Sequence, residues 1–219
     1  MSVKVGLKYL EIWNEDIENR IFEYEKEEFE KGQIVFYGPS YFTRWGKSHG
    51  MKPLREVILG KSGKQCIINR GFGSSSAEHQ LYYYPRVIRP LEPRVLVYSF
   101  FANGSSFGYS AEESWELAQR VITYAKTDFP GIHIYICGAD PQRDERNFTA
   151  IGNVKRTESF IKAFVENNSD CHYVDILGYE PLNNRKDIFV EDGVHYNQLG
   201  YDIYTDFFKG VLSEELKNY

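Results

Sequence analysis

An acid, a glycine and a histidine stand close together near the end of the chain, in Asp192-Gly193-Val194-His195. A carboxylate three residues before an imidazole can fold back to accept its Nδ1–H. That contact fixes the tautomer and leaves Nε2 free to take a proton. The same spacing also suits a plain Asx-turn carrying an exposed histidine. His49, His79, His133 and His172 have no comparable neighbour, and no H-E-x-x-H or H-x-H spacing points to zinc. No metal is expected.

A base needs a nucleophile. Ser40 follows the apolar run Ile34-Val35-Phe36-Tyr37 in the turn Gly38-Pro39-Ser40. A serine just past the C-terminal end of a parallel strand, opening toward a helix, is where an α/β fold presents a nucleophile. A simple turn, with Pro39 presetting φ and Ser40 as an N-cap, is the alternative. Two further segments follow apolar runs. In Asn69-Arg70-Gly71-Phe72-Gly73-Ser74-Ser75 the glycines allow backbone N–H groups to aim at an anion, without the spacing of a P-loop or a dinucleotide fingerprint. In Phe101-Ala102-Asn103-Gly104, Asn103 either brings a side-chain amide toward Ser40 or makes an ordinary Asn-Gly turn.

The elements that must position these residues read as strands alternating with helices. Short, β-branched or aromatic runs at 34–37, 66–68, 95–101, 132–137 and 173–177 have the continuous apolarity of strands covered on both faces. Helical stretches are expected over 53–59, 77–89, 111–127, 153–167 and 198–217. An amphipathic helix over about 14–31, capped by Asn14 and stopped by Gly32, is expected to lie on the body. Alternation of this kind implies right-handed crossovers and a three-layer α/β/α sandwich, with a central parallel sheet of about five strands. Ligands then collect beyond the strands' C-terminal ends.

Composition narrows the function classes. The 219 residues carry 26 Lys+Arg against 31 Asp+Glu, a net charge of −5, which argues against binding nucleic acid through its phosphates. The longest apolar stretch, 95–102, falls far short of the ~20 residues that span a bilayer. The first residues contain no continuous apolar core of a secretory signal, so a cytoplasmic location is expected. Three cysteines without a C-x-x-C pair suggest reduced, buried thiols. No repeat or linker divides the chain, and one domain over residues 1–219 is expected.

Taken in order, four of these segments resemble the blocks of the SGNH hydrolase superfamily, the GDSL-type esterases and lipases. IVFYGPSYFTRW (34–45) resembles the nucleophile block and IINRGFGS (67–74) the glycine block. Residues 95–103 resemble the asparagine block and DGVHYNQLG (192–200) the acid–base block. The resemblance runs over nearly the whole chain. It implies a flavodoxin-like sheet and hydrolysis of carboxylic esters through an acyl-enzyme, without a cofactor. Ser40 would be the nucleophile, His195 its base and Asp192 the residue that orients the imidazole. The oxyanion would be held by the backbone N–H groups of Ser40 and Ser74 and by the Asn103 side chain. The chain departs from the family pattern at four places: Pro39 replaces the usual Asp, Ser74 aligns with the oxyanion glycine, Gly104 replaces the Asp after the asparagine, and the segment from Tyr98 to Asn103 is one residue longer.

The expected partner is a small ester with a short acyl group, because no interfacial lid is visible, or an acetylated sugar, which the resemblance implies because the family uses the same machinery for it. Trp45, Phe101 and Phe107 are candidates for the substrate walls. A family member that has lost turnover and only binds a glycan or acyl ligand is the competing expectation.

Overall fold

The computed structural model describes residues 6–101, 103–143, 151–183 and 185–219. Its centre is a sheet of five parallel strands: β1 (Ile34–Gly38), β2 (Ile67–Gly71), β3 (Val95–Tyr98), β4 (His133–Cys137) and β5 (Cys171–Val174), in the order β2-β1-β3-β4-β5. Ile34 is in register with both Ile67 and Val95, so β1 lies between the strands that precede the other two site loops. The chain runs outward from β1 to β2 on one side and from β3 to β5 on the other. In open α/β sheets such a reversal is where a ligand crevice forms, beyond the C-terminal end of the strand at the switch, here β1.

Side-chain alternation along the strands feeds two cores. Val35, Tyr37, Ile68, Leu96 and Tyr98 face α4 (Ala77–Val87) and α6 (Ala111–Asp128), with Ile161 of α7 (Ile151–Val165) in the same cluster. Ile34, Phe36, Ile67, Val95 and Val97 face the other way, toward Tyr201, Tyr204 and Phe208 of α9 (Gln198–Val211). The continuous apolarity of the strands follows from this two-sided burial. Cys66, Cys137 and Cys171 are buried free thiols. Among the described residues no helix is long and apolar enough to cross a membrane.

Several expected boundaries move. The first helix, α1, covers Asn14–Glu25 and not 14–31. Ile17 and Ile21 anchor it, but beyond Glu25 the chain is drawn off by Arg70, a residue only 2% exposed. The Arg70 guanidinium stacks 4.5 Å from the Tyr24 ring and 4.9 Å from the Phe29 ring, and it pairs with Glu27 at 2.5 Å. Asn14 does not cap α1. Trp13 holds that place with φ 61°, and the Asn14 side chain accepts from the Tyr83 hydroxyl at 3.1 Å. The helix expected over 53–59 shortens to α3 (Leu54–Val57). The last helix ends at Val211, followed by a separate 3₁₀ turn at Glu215–Asn218. β3 ends at Tyr98, and Phe100 packs against Trp115 with ring centres 6.0 Å apart. β5 starts at Cys171, two residues before the expected run.

Candidate active site

Ser40 opens α2 (Ser40–Thr43), two residues after β1 ends. The turn is tight because the backbone comes very close to its neighbours. A Cβ on Gly38 would lie 2.9 Å from Phe42 and Ser99, and one on Gly71 would overlap Phe42 and the Thr43 amide. Asn69 on β2 then fastens the turn: its Nδ2 donates to the Phe42 carbonyl at 2.7 Å, and its Oδ1 accepts the Gly71 N–H at 2.9 Å. As the first helical residue, Ser40 keeps its own N–H free of any intrahelical bond.

His195 reaches this turn from the loop before α9. Its Nε2 lies 2.8 Å from Ser40 Oγ, and its Nδ1 lies 2.8 Å from Asp192 Oδ2. Asp192 Oδ1 also accepts the N–H groups of Val194 and His195, both at 2.9 Å. The Asx-turn and the imidazole contact, posed as alternatives by the sequence, are one structure. A carboxylate can only accept, so Nδ1 carries the proton and Nε2 faces the serine as acceptor.

Burial alone would push the Asp192 carboxyl up. The His195 N–H, the imidazole and the Val194 N–H outweigh it and bring the group down to about 2. Burial also lowers the His195 imidazole. The hydrogen bond to Asp192 offsets this in part, while the Arg44 charge lowers it further. Both groups are thus held in the form that general-base chemistry needs near neutral pH.

Other contacts here had no signal in the spacing of the sequence. Arg44 Nη1 lies 3.3 Å from Asp192 Oδ2. The Tyr41 hydroxyl donates to the Val194 carbonyl at 2.9 Å, with its ring centre 5.7 Å from that of His195. Both follow Ser40 within the nucleophile block, so the helical turn after a candidate serine is where such partners could have been sought. Asp140, just past β4, is buried and accepts from the Tyr196 hydroxyl at 3.3 Å. Burial raises its carboxyl to about 7.

Ser74 and Asn103 lie on the loops after β2 and β3. Ser74 has φ 61°, a left-handed conformation that favours glycine. Asn103 opens α5 (Asn103–Ser106), and its Nδ2 donates to the Ser75 carbonyl at 2.9 Å, tying one loop to the other. That bond uses one amide hydrogen and leaves the second.

Of the expected substrate walls, Trp45 is a correction. It is 2% exposed and packs on Phe36, Tyr201, Tyr204 and Phe208 with ring centres 5.1–6.1 Å away, so it belongs to the core. Its long apolar surface is used to seat α2 on α9. Phe101 lines a cavity of about 60 Å³ with Phe100, Gly104, Tyr109 and Val154. Phe107 is half-buried between Tyr9 and His79.

No known family model matches this sequence, and no curated protein matches it either. Solved structures do. A GDSL-like lipase from Bacteroides thetaiotaomicron superimposes with a TM-score of 0.71 at 17% identity, covering 91% of this chain and 98% of that one. An acetyl xylan esterase gives a TM-score of 0.66 at 19% identity, covering 82% and 99%. The psychrotrophic esterase EstA from a Pseudoalteromonas species gives 0.69 at 12% identity, covering 85% and 99%. The five-stranded parallel sheet with its flanking helices is the SGNH hydrolase-type fold of these lipases and esterases.

Proposed function

We propose that this chain is a serine hydrolase of small carboxylic esters, with a short acyl or acetyl group on the substrate. The observation that carries the reading is the hydrogen-bonded chain Ser40–His195–Asp192 at the crevice beyond β1. Ser40 Oγ attacks the ester carbonyl carbon while its proton passes to His195 Nε2. The tetrahedral intermediate collapses, the C–O bond to the alcohol breaks, and the imidazolium returns the proton to that alcohol. Water then attacks the acyl-enzyme, giving one proton to His195, and the acid leaves as Ser40 takes the proton back. Asp192 keeps Nδ1 protonated and stabilises the imidazolium at both stages. The N–H groups of Ser40 and Ser74 and the Asn103 amide meet the oxyanion, whose charge exists only in the transition state and intermediate.

The preference for short acyl groups rests on the sequence, which shows no amphipathic interfacial lid. An acetylated sugar fits the same machinery, and the acetyl xylan esterase among the similar structures favours it. The glycine-block change at Ser74 favours a second reading, a glycan or acyl binder without turnover.

A fluorophosphonate probe separates the two, since labelling requires an activated serine. Labelling of the parent chain and none of Ser40→Ala is expected. A p-nitrophenyl series from acetate to decanoate, run beside acetylated sugars, reads the acyl preference. An unlabelled parent chain would overturn the hydrolase reading.

A further inference from the structure

Directly after Ser74 and Ser75 the chain turns into α4, whose first residues include Glu78, His79 and Gln80, all at 0% exposure. Three consecutive buried polar side chains cost desolvation unless each finds partners. Their partners lie in different parts of the fold. The Glu78 carboxylate accepts the Tyr9 N–H at 2.9 and 3.1 Å and the Tyr109 hydroxyl at 2.7 Å. His79 Nδ1 lies 3.0 Å from Ser76 Oγ and 3.3 Å from the Ser76 N–H, closing the cap of α4. Its Nε2 lies 3.1 Å from the Ile12 carbonyl. A carbonyl only accepts, so Nε2 bears the proton and Nδ1 accepts from Ser76. Gln80 Nε2 donates to the Ser99 carbonyl at 3.0 Å and to Ser75 Oγ at 3.3 Å.

These bonds join the segment 6–12 to both loops that border the crevice. On one side they hold Ser75 and Ser76, next to Ser74. On the other they hold Tyr109, six residues beyond Asn103, and the Tyr9 ring reinforces this by packing 5.1 Å from Tyr109 and 6.3 Å from Phe107. Asn103 closes the circuit through the Ser75 carbonyl. Burial lowers the His79 imidazole, in keeping with the neutral form that the cap requires.

We propose that Glu78 and His79 are positioning residues that clamp the segment 6–12 across the loops of Ser74 and Asn103, fixing the oxyanion donors in one arrangement. This rests on the reading of those loops as an oxyanion hole. Donors stabilise developing charge best when they need not move at the moment of reaction, and such donors depend on the shell behind them.

The test compares Glu78→Gln and His79→Gln with the parent chain, with Leu216→Ala as a destabilised control in the other core. Turnover of p-nitrophenyl acetate and amide hydrogen exchange at residues 73–76 and 103–109 are both read. In the two network variants kcat should fall about ten- to a hundredfold with KM held within about threefold, and both loops should exchange faster. Leu216→Ala should lose thermal stability and keep its kcat. Unchanged kcat in both network variants, unchanged loop exchange, or an equal kcat loss in Leu216→Ala would each overturn the inference. If the parent turns over no ester and takes no fluorophosphonate, the hydrolase reading fails on its own. Loop exchange then still decides the clamp, and equal exchange in variant and parent rejects it.

Discussion

The Arg44 guanidinium lies 3.3 Å from the same Asp192 oxygen that accepts the His195 Nδ1–H. One carboxylate oxygen therefore serves an imidazole and a permanent cation together. The cation does not touch the base, yet its charge disfavours the imidazolium and lowers the His195 pKa alongside burial. On the proposed mechanism His195 must be neutral to act as the base, so kcat/KM should rise with pH through an apparent pKa below the ordinary imidazole value of about 6.5. Removing the cation removes one cause of the lowering. Arg44→Gln should move the acidic limb of the profile to higher pH, measured from kcat/KM between pH 4 and 8. A limb that stays in place would show that the Arg44 charge is screened from the imidazole.

Ser40, His195 and Asp192 are expected to act as a unit. Ser40→Ala or His195→Ala should lower ester hydrolysis by about 10⁴-fold or more, and the double variant should be little worse than either single one. Asp192→Asn should cost somewhat less, because Val194 and His195 N–H groups still have an acceptor at position 192. Rates with p-nitrophenyl acetate check all four. Half of the activity surviving in Ser40→Ala would mean the nucleophile lies elsewhere.

Asp140 gives a stability prediction with a defined pH window. Its carboxyl is raised from 3.8 to about 7 by burial, so the folded chain binds this proton more tightly than the unfolded one. Stability is then lost as the pH climbs from about 4 through 7, and the loss is constant above that. Asn at this position imitates the neutral acid and can still accept from Tyr196. Asp140→Asn should therefore match the parent chain near pH 4 and exceed its stability by roughly 2–4 kcal/mol at pH 8. Chemical denaturation at the two pH values reads the difference, and equal gains at both would reject the assignment of the raised group.

Much of this arrangement was legible because local patterns carried it. The strands are buried on both faces and read as apolar runs. The Asp192–His195 turn is built within four residues, so its spacing displayed its geometry. What escaped the sequence depends on long-range pairing. Arg70 ends the regular part of α1 by drawing Glu27 and Phe29 onto β2, and no feature of residues 14–31 announces that. Trp45 carries the same apolar ring whether it lines a pocket or seats a helix, and only the packing of α9 decides. Asp140, Glu78 and His79 are polar residues that burial makes consequential, and burial is set by elements far along the chain.

The two residues proposed to line the oxyanion hole should differ in what they contribute. Ser74 sits at φ 61°, where glycine is at ease and serine is strained, and only its backbone N–H is asked to contribute. Ser74→Gly should relieve that strain, and Ser74→Ala should leave it; both should keep kcat within a few-fold of the parent. On the proposed reading Asn103 would contribute through its side chain, with one amide hydrogen held by Ser75 and the other left for the oxyanion. Asn103→Ala should lower kcat about 10²- to 10³-fold, roughly 3–4 kcal/mol of transition-state stabilisation. KM should change little, since the ground state has no oxyanion to hold. Steady-state kinetics on the three variants reads the asymmetry. Equal losses in Ser74→Ala and Asn103→Ala would give the Ser74 hydroxyl a role of its own. Full activity in Asn103→Ala would reduce Asn103 to a tie between the two loops and leave the oxyanion to backbone donors alone.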